Sequence, residues 1–308
     1  MKIEGKFNVG LIGLGNTGSE HIKFYEKSKK VKKIFVYDIK KLKKFKSKKI
    51  IIDSNLEKFS NIRANKIVSI SNHDKDHFKN IIKHYGNSHI FVEKPLCRSF
   101  QETKKIFKMI KKKKYRHLLY SNLVLRNAGI FKNISKKISK GEFGKIYYFE
   151  GDYLYGRINK ILNGWRGKDK SYSVMLGGGI HMVDLMISFL QALPSHVSSS
   201  GNKMVTKRKK LEFNDFTQST YNFDNGAIGK ITANFGCVHK HQHVIKVFGT
   251  KKSFIFDDKG ARIFTKRDPY ESKKIKTTKK IYEGKACLLP NFFKKISYGK
   301  NYKNDIIN

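Results

Sequence analysis

The stretch FNVGLIGLGNTG, residues 7–18, indicates how the first part of the chain folds. Its first six residues are mostly apolar, which is typical of a strand buried on both faces of a parallel sheet. The G-x-G-x-x-G motif follows at once, and a helical pattern begins with it. Glycines at these positions allow a tight turn, close approach of the backbone to a pyrophosphate and close packing of helix on strand, and the helix N-terminus attracts phosphates. The predicted cofactor-binding residues of this turn are Gly13, Gly15, Asn16, Thr17 and Gly18.

A second predicted strand, KIFVYD, ends at Asp38, which lies 20 residues after Gly18. A carboxylate at this point suits hydrogen bonding to the ribose 2′-hydroxyl of a dinucleotide and repels a 2′-phosphate. Asp38 is therefore predicted to bind the cofactor and to favour NAD over NADP. Two lysines, Lys40 and Lys41, follow and weaken that preference, so NADP stays open.

Strand-like and helical segments alternate up to about residue 120, which predicts a doubly wound parallel sheet of the Rossmann type in a domain spanning residues 1–120. Ligands of such sheets bind beyond the carboxyl ends of the strands. The strand-like segment HIFVEKP ends there, so Lys94 is expected beside the nicotinamide end of the cofactor. The alternative is a solvated surface lysine, as most lysines of this chain must be. Further residues predicted to line the cofactor pocket are Asn72, His77 and Glu93.

Beyond about residue 120 the pattern changes to a helical stretch followed by successive strands. Turn signals at residues 224–226 and 257–260 are of the hairpin type. They predict an α+β domain, residues 121–308, with an open, mostly antiparallel sheet and helices on one face. An amphipathic sheet face needs a cover, and a second copy of the domain provides one. A homodimer or homotetramer through this sheet is therefore expected.

The stretch LGGGIHMVDL, residues 176–185, places three glycines before a histidine and an aspartate. No strand precedes it, so it is not a second phosphate-binding turn. Its glycines are interpreted as making room for substrate and nicotinamide, with His181 on the first turn of the following helix. Histidine exchanges a proton near neutral pH, so His181 is a candidate acid/base. Asp184 lies on the same helical face and either supports His181 or pairs with a lysine.

Aromatic rings and arginines cluster in the loop-rich region between residues 153 and 166. Aromatic faces stack on sugars, and guanidinium groups bind phosphates or carboxylates. The alternative for each ring is ordinary core packing. The predicted substrate-binding residues of this region are Tyr153, Arg157, Trp165 and Arg166.

Three histidines alternate in the stretch CVHKHQHVIK: His239, His241 and His243. On a strand they would share one face, and imidazole is a common metal ligand. No acidic or cysteine partner lies close by in the sequence, so the rim of the substrate cleft or a subunit interface is the preferred interpretation. No metal is predicted.

The formal net charge of +42 and the pI of about 10.1 raise nucleic acid as a partner. However, 57 of the 66 basic residues are lysines spread over the whole chain, whereas a nucleic-acid reader concentrates arginine-rich charge on one element. A lysine bias of the surface is preferred, and attraction of an anionic substrate is compatible with it. No apolar run is long enough to cross a bilayer, so no membrane partner is expected. Three widely spaced cysteines fit a reducing, cytoplasmic setting.

Several motifs, in their order along the chain, resemble those of the glucose–fructose oxidoreductase, inositol dehydrogenase and rhizopine-catabolism (Gfo/Idh/MocA) family. They include GLGNTG, EKPL, NLVLR, GWR, GGGIHMVD, NGAIGKI and VFGTKKSF, between Val9 and about Asp258. The resemblance implies an NAD(P)-dependent oxidoreductase acting on a hydroxyl or keto group of a sugar or cyclitol, including nucleotide-linked or acidic sugars. It implies that Lys94 holds the reacting hydroxyl and that His181 is the acid/base. Arg126 and Asp184 complete the predicted substrate-binding set.

Two features depart from the family pattern. Many members carry an aspartate four residues before the histidine, where this chain has Gly177, and the C-terminus is short. A catalytically weak NAD-binding sensor or scaffold is therefore kept as an alternative. So is an NAD-dependent glycosidase or lyase of the same family, in which the redox step is transient.

Overall fold

The computed structural model describes residues 5–63, 65–111, 117–207, 211–267, 271–275 and 284–298. The chain forms two compact units: Met1–Val124 together with Glu283–Asn308, and Leu125–Tyr282. None of the helices in the described ranges has the length and apolar character that a bilayer crossing requires.

The first unit is built on a sheet of six parallel strands. These are β1 (Phe7–Ile12), β2 (Val31–Tyr37), β3 (Ile50–Ile52), β4 (Lys66–Ile70), β5 (His89–Val92) and β6 (Leu119–Ser121). Their order across the sheet, β3-β2-β1-β4-β5-β6, is that of a doubly wound dinucleotide-binding fold, with the reversal between β1 and β4. The central strands are buried on both faces because they are apolar along most of their length. The predicted Rossmann sheet is confirmed.

Helices alternate with these strands, as a parallel sheet requires. They are α1 (Asn16–Lys27), α2 (Glu57–Ser60), α3 (His77–His84) and α4 (Phe100–Lys111). Each long helix buries one stripe of side chains because its core-facing residues recur three or four positions apart. In α4 that stripe is Ile106 and Ile110.

The second unit is built on an eight-stranded sheet. Its strands are β7 (Ile146–Leu154), β8 (His196–Asn202), β9 (Phe216–Asn222), β10 (Ile228–Asn234), β11 (Gln242–Gly249), β12 (Ser253–Asp257), β13 (Gly260–Phe264) and β14 (Ser272–Ile275). The order is β14-β13-β12-β11-β7-β10-β9-β8, and neighbours are antiparallel except β7 and β10, which run parallel. The predicted open, mostly antiparallel sheet is confirmed.

Helices α5 (Gly129–Ser139), α6 (Ile158–Leu162) and α7 (Ile180–Leu190) belong to the same unit. The Phe189 ring of α7 meets Phe149 of β7, with ring centres 6.1 Å apart, and Phe131 of α5, at 6.3 Å. The helix comes this close because β7 has a glycine beneath it. A Cβ on Gly151 would lie 3.0 Å from the Cβ of Met182.

Polar side chains occupy the other face of the sheet, which gives the predicted alternation along the strands. Glu150 of β7 forms ion pairs with Lys230 of β10 and Lys246 of β11, each at 3.3 Å. The edge strand β8 was not predicted. All seven of its residues are exposed, so it carries no apolar alternation by which to recognise it.

The chain returns to the first unit in α8 (Leu289–Tyr298). Phe292 meets Phe91 of β5, with ring centres 5.4 Å apart, and Phe293 meets Phe7 of β1, at 5.8 Å. The predicted division placed all of residues 121–308 in the second domain, and here the structure differs. The physical reason is the buried apolar stripe of α8, completed by Ile296, which covers the parallel sheet.

Candidate functional site

The turn between β1 and α1 is too tight for side chains at two of its glycines. Gly13 has φ of +88°, and a Cβ on it would lie 2.6 Å from the backbone nitrogen of Asn72. A Cβ on Gly18 would overlap the carbonyl oxygen of Gly13. Gly15 is different, because a Cβ there would meet no atom within 4 Å. The turn is therefore closely packed inside and open in front of the helix N-terminus.

This open space fits the pyrophosphate of a dinucleotide. Among the described residues no side chain caps α1, whose N-cap is Gly15, so the N–H groups of its first turn remain for an anion. Those groups belong to Asn16, Thr17 and Gly18. The buried Oδ1 of Asn72 also has no hydrogen-bond partner within the described chain. These residues could hold the cofactor that the motif predicts.

Asp38 follows β2, and its carboxylate is hydrogen-bonded to the backbone of the glycine turn. Its Oδ2 accepts a hydrogen bond from the backbone nitrogen of Leu14 at 2.6 Å, and its Oδ1 accepts one from that of Lys40 at 2.8 Å. A carboxylate oxygen has two acceptor sites, so each oxygen can still accept from a ribose hydroxyl. The predicted cofactor role is therefore compatible with this structural one.

His77 is buried between two backbone carbonyl groups. Its Nδ1 lies 2.7 Å from the oxygen of Pro95, and its Nε2 lies 3.2 Å from that of Asn72. Each ring nitrogen thus faces a backbone carbonyl oxygen. The imidazole ties the loop after β4 to the loop after β5, so it holds the walls of the predicted pocket.

Glu93 follows β5 and is held by two side chains that the sequence analysis did not single out. Asn122 donates from Nδ2 to its Oε1 at 2.5 Å, and Nε2 of His21 lies 3.6 Å from the same oxygen. His21 in turn meets the hydroxyl of Ser69, 3.1 Å from Nδ1. Burial alone would raise the pKa of Glu93, but the nearby His21, the hydrogen bond from Asn122 and the charge of Lys94 hold it below its ordinary value.

Lys94 is half-buried, and its peptide bond to Pro95 is cis. Its charge is one of those that lower the pKa of the neighbouring Glu93 carboxyl. His21 was recognisable only as a polar residue on the buried side of α1, three positions after Gly18. Asn122 is the first residue of the NLVLR motif, from which only Arg126 was given a role.

The three glycines before α7 make room for protein side chains. They lie in a π-helical turn, Met175–Gly179, of the kind that is frequent at functional sites. A Cβ on Gly177 would overlap the hydroxyl of Tyr172, and one on Gly178 would lie 2.5 Å from the ring of Tyr153. The interpretation that these glycines clear space for substrate and nicotinamide is wrong in this respect. Two tyrosines of the same unit occupy that space.

His181 is the second residue of α7, on its first turn as predicted, and it is only 8% exposed. Its ring stacks on that of Tyr153, with ring centres 6.2 Å apart and an interplanar angle of 18°. His241 and His243 stand edge-on to the same tyrosine, each at 5.2 Å. The ring of Tyr153 is therefore in contact with three imidazoles, those of His181, His241 and His243.

His239 does not join this group. It is exposed, and its Nδ1 lies 2.8 Å from the carbonyl oxygen of Lys240. Since β11 begins at Gln242, only His243 is on the strand, and the expectation of three histidines on one strand face is wrong. In the part of the chain that the structure describes, no three histidine, cysteine or acidic side chains are arranged to hold a metal.

Asp184 is paired with Arg126. The arginine donates from Nε to Oδ2 at 2.8 Å and from a terminal nitrogen to Oδ1. Burial raises the pKa of Asp184, while the arginine opposes that rise. The basic partner of Asp184 is therefore an arginine and not the lysine that was expected. Two residues predicted to bind substrate thus bind each other.

Arginines and aromatic rings are brought together in two places. The guanidinium carbon of Arg166 lies 4.7 Å from the ring centre of Trp165, and its Nε donates to the hydroxyl of Tyr172 at 3.1 Å. The guanidinium of Arg157 lies 5.7 Å from the ring of Tyr155. No role could be assigned to Tyr172 from the sequence, because a single tyrosine is usually part of the hydrophobic core.

Family models match both units of the chain. A model described as an oxidoreductase family with an NAD-binding Rossmann fold matches residues 7–120, and a GFO/IDH/MocA C-terminal domain matches residues 131–255. The chain belongs to the GFO/IDH/MocA oxidoreductase family. The resemblance inferred from the motifs is confirmed, together with the oxidoreductase class and the NAD-binding first unit.

Solved structures of two sugar dehydrogenases are similar to this GFO/IDH/MocA protein. Levoglucosan dehydrogenase in complex with NADH and L-sorbose gives a TM-score of 0.82 at 19% identity, over 96% of this chain and 91% of that one. UDP-N-acetylglucosamine 3-dehydrogenase GnnA from Acidithiobacillus ferrooxidans gives 0.72 at 16% identity, over 96% and 90%. These identities establish the fold alone.

A curated relative is an uncharacterized oxidoreductase, C115.03, of Schizosaccharomyces pombe. It is 25% identical over 104 residues. The match spans 33% of this chain and 28% of that protein, so it adds to the family assignment and carries no substrate information.

Proposed function

We propose that this GFO/IDH/MocA protein transfers a hydride between a nicotinamide cofactor and a hydroxyl or keto group of a sugar or cyclitol. The observation that carries the proposal is the His181 imidazole, fixed at the start of α7 by its stack on Tyr153, in a chain whose first unit is an NAD-binding domain. The names of the two dehydrogenases with the same fold support a sugar as substrate.

His181 is the proposed acid/base. It takes the proton of the reacting hydroxyl during oxidation and returns it during reduction. Lys94 is proposed to hold the reacting oxygen, where its charge favours alkoxide character. The ionised Glu93 supports that role because it stabilises the charged lysine beside it. When bound, the nicotinamide ring accepts or supplies the hydride.

NAD is the proposed cofactor, because Asp38 would repel a 2′-phosphate and has acceptor sites left for a ribose hydroxyl. The remaining members of the proposed cofactor site are the Gly13–Gly18 turn, Asn72 and the loops that His77 holds.

A nucleotide-linked or acidic sugar is the proposed substrate class. Arg157 and Arg166 lie on aromatic rings, and such a combination recognises an anionic group next to a sugar ring. Tyr153 and Trp165 are the proposed stacking surfaces. Arg126 and Asp184 are proposed to shape the site as a pair.

The polar face of the second unit's sheet is the proposed contact for a second copy of the chain, as a dimer or tetramer. Light scattering of the purified protein tests this part. The cytoplasmic setting and the absence of a nucleic-acid partner stay predictions. A mobility-shift titration at low salt tests the latter.

The activity is tested by following the absorbance of reduced nicotinamide with NADH and NADPH against a panel of free sugars, cyclitols, sugar acids and nucleotide-linked sugars. Turnover with at least one of these, and tighter binding of NADH than of NADPH, are expected. Binding of NADH without turnover on any member would favour the sensor or scaffold instead. Product formed without net cofactor reduction would favour the glycosidase or lyase.

The residue roles are tested with Lys94→Ala and His181→Ala. Each is expected to lower kcat/KM by about a hundredfold or more while NADH binding is unchanged. Matched controls are Lys58→Ala and His196→Ala, both of exposed residues, which should retain activity. Undiminished turnover in either active-site variant would remove that residue from the proposed mechanism.

A further inference from the structure

Asn122 lies beside Glu93 because two neighbouring strands of the first unit end there. Ser121 of β6 pairs with Val92 of β5, and the backbone nitrogen of Asn122 donates to the carbonyl oxygen of Val92 at 2.8 Å. The backbone nitrogen of Glu93 donates to the carbonyl oxygen of Ile70 at 2.9 Å. Asn122 and Glu93 are therefore the first residues beyond β6 and β5, and both backbones are held by the sheet.

The side-chain amide of Asn122 uses both of its hydrogens. Its Nδ2 donates to Oε1 of Glu93 at 2.5 Å and to the backbone oxygen of Lys285 at 2.7 Å. Both acceptors are oxygens without a hydrogen to donate, so the amide atom that faces them is the nitrogen. The side chain is buried, and its Oδ1 has no hydrogen-bond partner within the described chain. This position therefore requires two donors on one atom, even though an acceptor is left unsatisfied.

The second acceptor of Asn122 is itself anchored. The backbone nitrogen of Lys285 donates to Oε2 of Glu20, on α1, at 2.5 Å. The preceding residue, Gly284, has φ of +101°, a backbone conformation that glycine adopts without strain. The segment that returns to the first unit ahead of α8 thus holds the Asn122 amide from the side opposite to Glu93.

One oxygen of Glu93 faces two nitrogen atoms. Besides the amide of Asn122, Nε2 of the fully buried His21 lies 3.6 Å from Oε1, and Nδ1 of the same ring lies 3.1 Å from the hydroxyl of Ser69. Burial raises the pKa of Glu93, while His21, the hydrogen bond from Asn122 and the charge of Lys94 bring it below its ordinary value. The carboxylate is therefore kept ionised at a defined place.

The position of this carboxylate matters for Lys94, the next residue in the chain. An electrostatic interaction is reciprocal, so the ionised Glu93 stabilises the charged Lys94 as much as the lysine stabilises the carboxylate. The strength of that interaction depends on the distance between the two charges. A residue that fixes the carboxylate therefore acts on the lysine.

We propose that Asn122 is a positioning residue for Lys94: its amide, held by the carbonyl group of Lys285, fixes the Glu93 carboxylate beside the lysine. The proposal rests on the role of Lys94 in the proposed function. It gives the start of the NLVLR motif and the segment ahead of α8 a part in the reaction, although neither holds the reacting oxygen.

The primary test is the titration of Glu93, followed by nuclear magnetic resonance of the side-chain carboxyl carbon in glutamate-labelled protein and assigned with Glu93→Gln. In Asn122→Ala the pKa of Glu93 is expected to rise, because a donor to the ionised form is lost and burial remains. In Asn122→Asp it should rise further, because a like charge replaces the donor. Asn61→Ala, of an exposed asparagine after α2, is the matched control and should leave it unchanged.

An unchanged Glu93 titration in Asn122→Ala, or a smaller rise in Asn122→Asp than in Asn122→Ala, would overturn the proposal. Glu20→Ala releases the anchor of Lys285 and should shift the titration in the same direction by less. An unchanged titration in this variant would remove the return segment from the proposal.

A second control separates positioning from general loss of stability. Ile34→Ala removes a fully buried side chain from β2, which β1 and β4 separate from β5. It should lower the unfolding temperature and leave the Glu93 titration at its wild-type position. A rise of the Glu93 pKa in Ile34→Ala equal to that in Asn122→Ala would show that the shift reports instability, and would contradict the positioning role.

Kinetics supply the second readout. Asn122→Ala should lower kcat/KM about tenfold at neutral pH, with NADH affinity unchanged. Combined with Lys94→Ala, it should cause no further loss, because a residue that acts through Lys94 has no effect once the lysine is absent. A further tenfold loss in the double variant would show that Asn122 acts independently of Lys94 and would overturn the proposal.

Failure of the proposed function gives a different result. If the wild-type protein turns over no substrate while its Glu93 titration responds to Asn122→Ala, the proposed function fails and the contact between Asn122 and Glu93 stands. If Lys94→Ala is inactive and Asn122→Ala shows wild-type titration and kinetics, the positioning role alone is wrong.

Discussion

Arg126 donates hydrogen bonds to both carboxylate oxygens of Asp184. Asp184 lies on α7, one helical turn after His181. The carboxylate is 5% exposed and the guanidinium 38% exposed, so the pair has one buried and one half-open partner. Removing the arginine leaves a buried charge unpaired, whereas making the aspartate neutral does not. The two halves of the pair are therefore not equivalent.

We predict that Arg126→Met lowers the free energy of unfolding by about 2–3 kcal/mol and Asp184→Asn by about 1 kcal/mol, less than for a fully buried pair because the arginine is partly solvated. Urea denaturation measures both. Burial raises the pKa of Asp184, so the unpaired carboxylate costs most at neutral pH. The penalty of Arg126→Met should shrink as pH falls through the raised pKa of Asp184. A penalty independent of pH would show that the arginine acts through packing alone.

Two substitutions in the glycine turn are expected to affect different properties, one the binding of NADH and the other the stability of the fold. Gly15→Ala meets open space and should change the free energy of unfolding by less than about 1 kcal/mol. It should weaken NADH binding by about tenfold or more, because the methyl group occupies the phosphate side of the turn. Gly18→Ala overlaps the carbonyl oxygen of Gly13 and should destabilise the fold itself, by about 2 kcal/mol or more. Fluorescence titration with NADH and thermal unfolding distinguish the two, and equal effects of both variants would contradict this reading of the turn.

Glu93 gives a prediction for pH. Its pKa is held below the ordinary value by His21, Asn122 and Lys94 against the effect of burial. A depressed pKa contributes stability above the unfolded-state value of about 4.3, and that stability is lost as pH falls through the folded-state pKa. Glu93→Gln should therefore cost about 1–2 kcal/mol at neutral pH, with the difference from wild type closing below about pH 4. A constant difference across the pH range would contradict the depressed pKa.

The Rossmann half was predictable because local sequence and tertiary structure agree there. FNVGLI is apolar on both faces, as a central parallel strand requires, and the glycine motif follows it directly. The opposite case is Gly177. Its sequence neighbours indicate only a flexible turn, and the reason for the glycine is a tyrosine hydroxyl from five residues earlier, which a one-dimensional pattern does not show.

The same limit applies to residues that act through distant partners. Asp184 was recognised as a carboxylate on the face of His181, but its partner Arg126 is 58 residues away and no spacing rule connects the two. Asn122 begins the NLVLR motif, but it reaches Glu93 only because β5 and β6 pair, which the motif does not show. The sequence therefore showed which polar side chains are present at these positions, but it did not show which of them bind each other.

The end of the chain provides the last prediction. Phe292 and Phe293 of α8 are almost fully buried against the sheet of the first unit, so replacing either with alanine removes a large core side chain. Phe292→Ala should lower the free energy of unfolding by about 3–5 kcal/mol, while the exposed Lys294→Ala on the same helix should change it by less than about 0.5 kcal/mol. The loss should appear in amide hydrogen exchange of β1 and β5, because α8 covers those strands. Exchange that increases only in the second unit would contradict the assignment of α8 to the first.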